Sequence, residues 1–163
     1  MADIGIDNGV SGSIGVIDGG QEYFYKVPTR AEQDYTKKKK NLRRVDVAGL
    51  KSLLRPHLRD GNNHHVMMER PMVNPGRFNA TTSALRAMEA TLIALEQLCL
   101  PVHYVDSKEW QNVLLPRGCK GNELKKASVA IGCRYFPSLA ADFRKHKDAD
   151  GMLIAEYCRR FYQ

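Results

Sequence analysis

Residues 3–18 read Asp3-Ile4-Gly5-Ile6-Asp7-Asn8-Gly9-Val10-Ser11-Gly12-Ser13-Ile14-Gly15-Val16-Ile17-Asp18. Residues 3–7 alternate as a half-buried strand does. A turn of small residues follows at 8–12, and residues 13–17 read as a second strand. Asp18-Gly19-Gly20 is a strong hairpin signal. Residues 21–27 then make a third strand, ended by Pro28. The chain therefore opens on a three-stranded antiparallel meander. Asp7 stands at the end of its first strand, just before the glycine-rich turn.

Working outward, residues 29–44 are polar and carry Lys37-Lys38-Lys39-Lys40 and Arg43-Arg44. We expect a mobile loop here, whose charge run is either a solvated face or a nucleic-acid contact. Residues 45–59 predict a helix with Val47, Leu50, Leu53, Leu54 and Leu58 on one face. Asn62-Asn63 breaks the chain. Residues 64–69 form a short strand ending in Glu69, and residues 70–76 resist regular structure. The longest helix spans 79–99, with Leu85, Met88, Leu92, Leu95 and Leu98 as its expected buried stripe. Residues 101–105 are another strand, and Ser107 is the expected cap of a short helix that holds Trp110 as a core anchor. A helix at 122–136 starts behind Asn122 and is ended by Pro137; an amphipathic helix at 148–162 finishes the chain.

The order is β-β-β-α-β-α-β-α with a helix to finish. That describes a single α/β domain over residues 1–163, of the ribonuclease H-like arrangement. Three antiparallel strands and then parallel ones make a mixed five-stranded sheet flanked by helices. Crossovers in such a sheet are right-handed.

Composition narrows the function. The chain has 163 residues, 43% of them hydrophobic, enough to form its own core. No apolar run approaches the ~20 residues of a membrane helix. No basic stretch leads into an apolar one at the N-terminus, so we expect neither secretion nor membrane insertion. The formal net charge is +7, which favours anionic partners, nucleic acid first among them. The four cysteines (Cys99, Cys119, Cys133, Cys158) form no C-x-x-C pair, which disfavours a zinc site and suits free thiols in a reducing compartment. The expected location is the cytoplasm or another intracellular compartment that contains DNA.

The acids carry the chemistry. In the proposed sheet the first and fourth strands are parallel neighbours, so their C-terminal ends set Asp7 beside Glu69. The last helix brings Asp150 against them. Each has an ordinary alternative: a turn residue, a strand end, a helix start. Crowded carboxylates repel unless a cation sits among them. Hard oxygen ligands suit Mg²⁺, or Mn²⁺ in its place. Two such ions about 3.5–4 Å apart are a known solution for phosphodiester hydrolysis.

Here a resemblance enters. Residues 4–15, Ile4-Gly5-Ile6-Asp7-Asn8-Gly9-Val10-Ser11-Gly12-Ser13-Ile14-Gly15, resemble the opening of the RuvC-like Holliday junction resolvases. Met68-Glu69-Arg70-Pro71 is similar to their second acidic strand end, and Val105-Asp106-Ser107-Lys108-Glu109-Trp110 to a strand-to-helix segment of phage and bacterial members. His146-Lys147-Asp148-Ala149-Asp150-Gly151-Met152-Leu153 resembles the helix that carries the last ligands. The ordered set covers nearly the whole chain and is closest to the compact phage-type and organellar members. The resemblance implies a homodimeric, Mg²⁺-dependent endonuclease, with two ions per site, that nicks four-way DNA junctions symmetrically. Asp7 and Glu69 match the first two acids and Asp150 the last.

One position stays open. Residues i and i−4 share a helix face. If the last helix begins by His146, then His146 and Asp150 converge, and we favour His146 as the base or ligand. If residue 148 precedes the first regular turn, Asp148 swings in as its rival. For DNA contacts we single out the 37–44 cluster, Arg70, Arg77, Phe78, Arg86, Lys108, Lys120, Lys125, Lys126 and Lys147, with Arg70 and Arg77 flanking the Glu69 loop. Phe78 or Met72 is the candidate wedge at the crossover, and the long helix is the one the resemblance assigns to the dimer. The acid set alone also fits a nuclease acting on RNA·DNA hybrids or other branched DNA. A non-catalytic junction-binding protein is the remaining alternative.

Overall fold

The meander forms as expected. β1 (Ala2–Ile6), β2 (Ser13–Asp18) and β3 (Gln21–Lys26) are antiparallel. Gly19 and Gly20 make the tight β2–β3 turn, and both take positive φ (57° and 83°), as a type I′ hairpin demands. β1 pairs on its other edge, in parallel, with β6 (His65–Glu69). β6 in turn pairs in parallel with β7 (Val102–Val105). The five-stranded order is β3-β2-β1-β6-β7. The computed structural model describes residues 1–34, 37, 39–58 and 63–162. The expected break at Asn62, the helix end at Arg59 and Lys38 of the lysine run lie outside the described residues.

Alternation along the strands sorts side chains onto two faces. Ile4, Ile6, Ile14, Val16, Val66 and Met68 point one way, into a core closed by α1 (Val47–Leu54) and α2 (Phe78–Glu96). Ile17 and Met67 point the other way, into a second core. That core is closed by α3 (Ser107–Leu114), α4 (Asn122–Tyr135), α5 (Ala140–His146) and α6 (Asp150–Phe161). Asp7 and Glu69 fall in step with Gly5 and Met67, so both acids face this second layer.

α6 lies directly on the sheet because Gly5 and Gly15 are register partners there. A Cβ at Gly5 would stand 2.1 Å from Ala155 N, and one at Gly15 would stand 2.4 Å from Met152 Cα. Two adjacent glycines thus make the bare patch on which the helix backbone rests. The N-terminal end of α6 is thereby brought to the end of β1.

Five expectations need correction. Residues 29–44 are not simply a loop: β4 (Thr29–Gln33) and β5 (Asn41–Val45) form a separate two-stranded hairpin. Its exposed, polar faces offered no apolar alternation to read. The helix expected at 45–59 is shorter, α1 followed by a 3₁₀ turn at Arg55–His57, where Pro56 cannot continue it. Of the stripe expected on α2, Leu95 is buried and Met88, Leu92 and Leu98 pack partly buried against the core, while Leu85 is exposed; Ala87, Thr91 and Ala94 are buried beside them. Asp106, not Ser107, is the cap of α3, and Glu109 Oε2 accepts from the Asp106 N–H at 2.7 Å. Lastly, the C-terminal helix does not include residue 148. Lys147, with φ 73°, ends α5, and α6 starts at Asp150. Among the described residues, no helix is long and apolar enough to cross a membrane.

Candidate active site

Asp7 follows β1 directly, and Glu69 ends β6. The register Ile6↔Met68 sets them at matching places on neighbouring strands. The break at Lys147 frees Asp148 from any helix. Asp7, Asp148 and Asp150 each offer a carboxylate oxygen, and these oxygens lie within 4.8 Å of one another.

Small polar residues aim the two later acids. Ser13 Oγ donates to Asp148 Oδ1 at 3.3 Å and accepts from the Gly151 N–H at 3.0 Å. Ser128 Oγ donates to Asp150 Oδ1 in a short bond, and also accepts from the Ala149 N–H at 3.0 Å. Trp110 is fully buried, as expected of a core anchor, but its Nε1 also donates to Glu69 Oε2 at 2.7 Å. Sequence reading missed all three supporting groups. Serines distant in the chain leave no local pattern.

The electrostatics fit a cation site. Burial pushes Asp7 well above the usual carboxylate range, and Asp150, Glu69 and Asp148 add to the rise. Burial lifts Glu69 to about 7, against the Trp110 hydrogen bond. Burial lifts Asp150 to about 6, with Ser128 opposing and Asp148 adding. Lys125 offsets part of the crowding at Asp7 and Asp150. A buried, all-oxygen donor set under mutual repulsion is what a hard divalent cation relieves.

His146 is not on the face expected of it. It ends α5, so the i−4 relation to Asp150 does not exist, and it is not among the converging ligand atoms. Its Nε2 lies 3.6 Å from Asp148 Oδ2, and its ring packs edge-on against Phe24. The carboxylate group takes in Asp148 instead.

The cationic candidates distribute around the acids. Lys125, Lys126 and Lys147 rim a groove of about 630 Å³ between α4 and α5, joined by Arg144. On the other side, Arg70, Arg77 and Met72 line a hollow of about 240 Å³ that reaches Glu69 and Asn8. Arg70 is held there by Asp106 at 2.9 Å. Phe78 does not pack under α2; it is 75% exposed, and Met72 is 80% exposed. Lys108 and Lys120 line a separate hollow beside α3, away from the acids.

Sheet order, the helical layer carried on β1 and β2, and acids at two strand ends and ahead of α6 define a ribonuclease H-like fold. Within that class the fold is RuvC-like. Thermus thermophilus RuvC in complex with Holliday junction substrate matches with a TM-score of 0.57 at 14% identity, over 99% of this chain and 96% of that one. A second Thermus thermophilus RuvC structure matches with a TM-score of 0.50 at 16% identity, over 98% and 96%. No protein-family model and no curated protein matches the chain.

Proposed function

We propose that the chain is a divalent-metal-dependent endonuclease that acts as a homodimer on four-way DNA junctions and nicks two strands symmetrically. The observation that carries this is the convergence of Asp7, Asp148 and Asp150, with Glu69 on the adjoining strand, on a RuvC-like fold. The net charge of +7 suits a polyanionic substrate.

Asp7, Glu69, Asp148 and Asp150 are the residues that would hold two Mg²⁺, with Mn²⁺ as substitute. Such ions, when bound, supply Lewis acidity toward water and toward the leaving 3′ oxygen. The chain itself supplies geometry. Ser13 and Ser128 fix the directions of Asp148 and Asp150. Trp110 occupies one oxygen of Glu69 and leaves Oε1 for the site.

Lys125, Lys126 and Lys147 would take phosphates on the α4 side, and Arg70 and Arg77 on the Glu69 side. Phe78 and Met72 stand free to stack on or wedge a base, a contact worth about 1–3 kcal/mol when a ring stacks. The partner protomer would meet the outward side of α2, where Leu85 and Ile93 are 39% and 37% exposed. Two sites on one junction permit paired nicks before release.

The test compares a synthetic four-way junction, linear duplex and RNA·DNA hybrid with Mg²⁺. Selective junction cleavage supports the proposal. Cleavage of the hybrid alone moves the function to RNA removal. Tight junction binding with no cleavage by the metal-loaded protein makes it a scaffold.

A further inference from the structure

Among the described residues, the β4–β5 hairpin contributes none to the carboxylate site. Residues 29–44 hold seven Lys and Arg against two Asp and Glu, so most of the excess positive charge of the chain sits here. Arg30 and Arg44 are register partners across the hairpin, an arrangement that repels. Glu32 relieves it, pairing with both at 2.6 Å. The hairpin thus spends its one strand-borne acid on its own stability. Lys37, Lys39, Lys40 and Arg43 are exposed, and none of them pairs with an acid among the described residues. Among the described residues, the Arg43 side chain bonds to the Thr29 hydroxyl, at 3.0 Å.

The hairpin does not stand alone. Between β5 and α2 runs a trough of about 400 Å³. Its walls carry Arg43 and Arg44 on one side and Arg86 on the other. Val10, in the turn after Asp7, lines it, and so does Phe78 at the start of α2. Val10 lies in the turn that follows Asp7, and Phe78 opens the helix after the Glu69 loop, so the trough is tied to both acid-bearing strand ends. A polyanion that reaches the acids and continues past Val10 and Phe78 meets this basic wall next.

We propose that the β4–β5 hairpin and the adjoining flank of α2 form a second nucleic-acid surface, which grips a duplex arm of the substrate by its phosphates. β4 and β5 carry cations but no aromatic residue, and Phe78 is the one aromatic ring among the described residues that line the trough. Single-strand platforms rely on stacking rings, whereas duplex backbones are held by charge alone. The inference rests on the reading of the chain as a junction nuclease.

The experiment measures junction affinity against salt for the full chain and for the variant Lys39→Ala/Lys40→Ala/Arg43→Ala. Each lost phosphate contact lowers the slope of log K against log salt by about 0.9, so a fall of about 2–3 is expected. The cleavage rate at saturating junction stays unchanged, and affinity for single-stranded DNA barely moves. If Arg43→Ala disturbs the hairpin, Lys39→Gln/Lys40→Gln still predicts a fall of nearly 2. An unchanged slope with normal wild-type binding overturns the hairpin surface and leaves the nuclease reading intact. An equal loss on single-stranded DNA, or dissociation of a dimer by the variant in sedimentation, overturns it in favour of a strand channel or a protomer contact. Failure of the wild-type chain to bind any junction removes the parent reading, and this inference with it.

Discussion

Trp110 Nε1 donates to Glu69 Oε2 at 2.7 Å, joining a fully buried indole to an acid at the edge of the site. The bond opposes the burial that lifts Glu69 to about 7. In Trp110→Phe a ring still fills the space, but that oxygen loses its donor. The Glu69 carboxyl then rises further, and the rising limb of the pH–rate profile moves to higher pH. Stability falls by about 1–2 kcal/mol. A profile that does not move would reduce Trp110 to a packing residue. Trp110 is also the sole tryptophan, so Mg²⁺ binding beside Glu69 should change the intrinsic emission of the protein.

Burial and crowding raise the folded-state values of Asp7, Glu69 and Asp150 above the ordinary 3.8 to 4.5. Between about pH 4 and 7 the folded chain therefore holds protons that the unfolded chain has released. Stability contributed by these groups is present below that window and is lost as pH rises through it. The melting temperature in chelator should fall from pH 5 to pH 8. Mg²⁺ should restore more of it at pH 8, where the acids must be ionised. Equal stabilisation at both pH values would contradict the placement of these acids around a cation.

Ser13 and Ser128 reach the acids across the fold. Groups that orient metal ligands typically alter metal affinity 10–100-fold when removed. Ser128→Ala should raise the Mg²⁺ concentration needed for half-maximal cleavage by about tenfold, with junction affinity unchanged. A normal Mg²⁺ dependence would mean that Asp150 is held by its backbone alone.

The Gly5–Gly15 patch carries the helix that delivers Asp150. Gly15→Ala sets a methyl group 2.4 Å from Met152 Cα, so α6 must shift. Overpacking of this kind costs about 1–3 kcal/mol. Cleavage should fall well beyond what the loss of folded protein explains, as read by rate per folded molecule. Unchanged cleavage would show that the acids tolerate displacement of α6.

The strands of the main sheet were legible from the alternation at residues 3–7, the turn signals at 8–12 and 18–20, and short apolar runs such as Val66-Met67-Met68, which is buried on both faces. The side-by-side placement of Asp7 and Glu69 followed from strand ends alone. The choice between His146 and Asp148 was a question about helix phase. It turned on Lys147, a non-glycine residue in the left-handed region that carries no local stop signal. The hairpin escaped notice because neither of its strands alternates in polarity. On α2 the expected stripe held at Met88, Leu92, Leu95 and Leu98, and the reading missed the small residues Ala87, Thr91 and Ala94 buried beside it.

The central claim is best tested with a four-way junction labelled on each strand in turn. It is incubated with the wild-type chain and Mg²⁺, with chelator, and with Asp7→Asn or Asp148→Asn. The account predicts paired nicks at symmetry-related positions for the wild type. It predicts none in chelator, and none from either variant although both still bind the junction. Near wild-type cleavage by Asp7→Asn or Asp148→Asn, or nicking that persists in chelator, would contradict it.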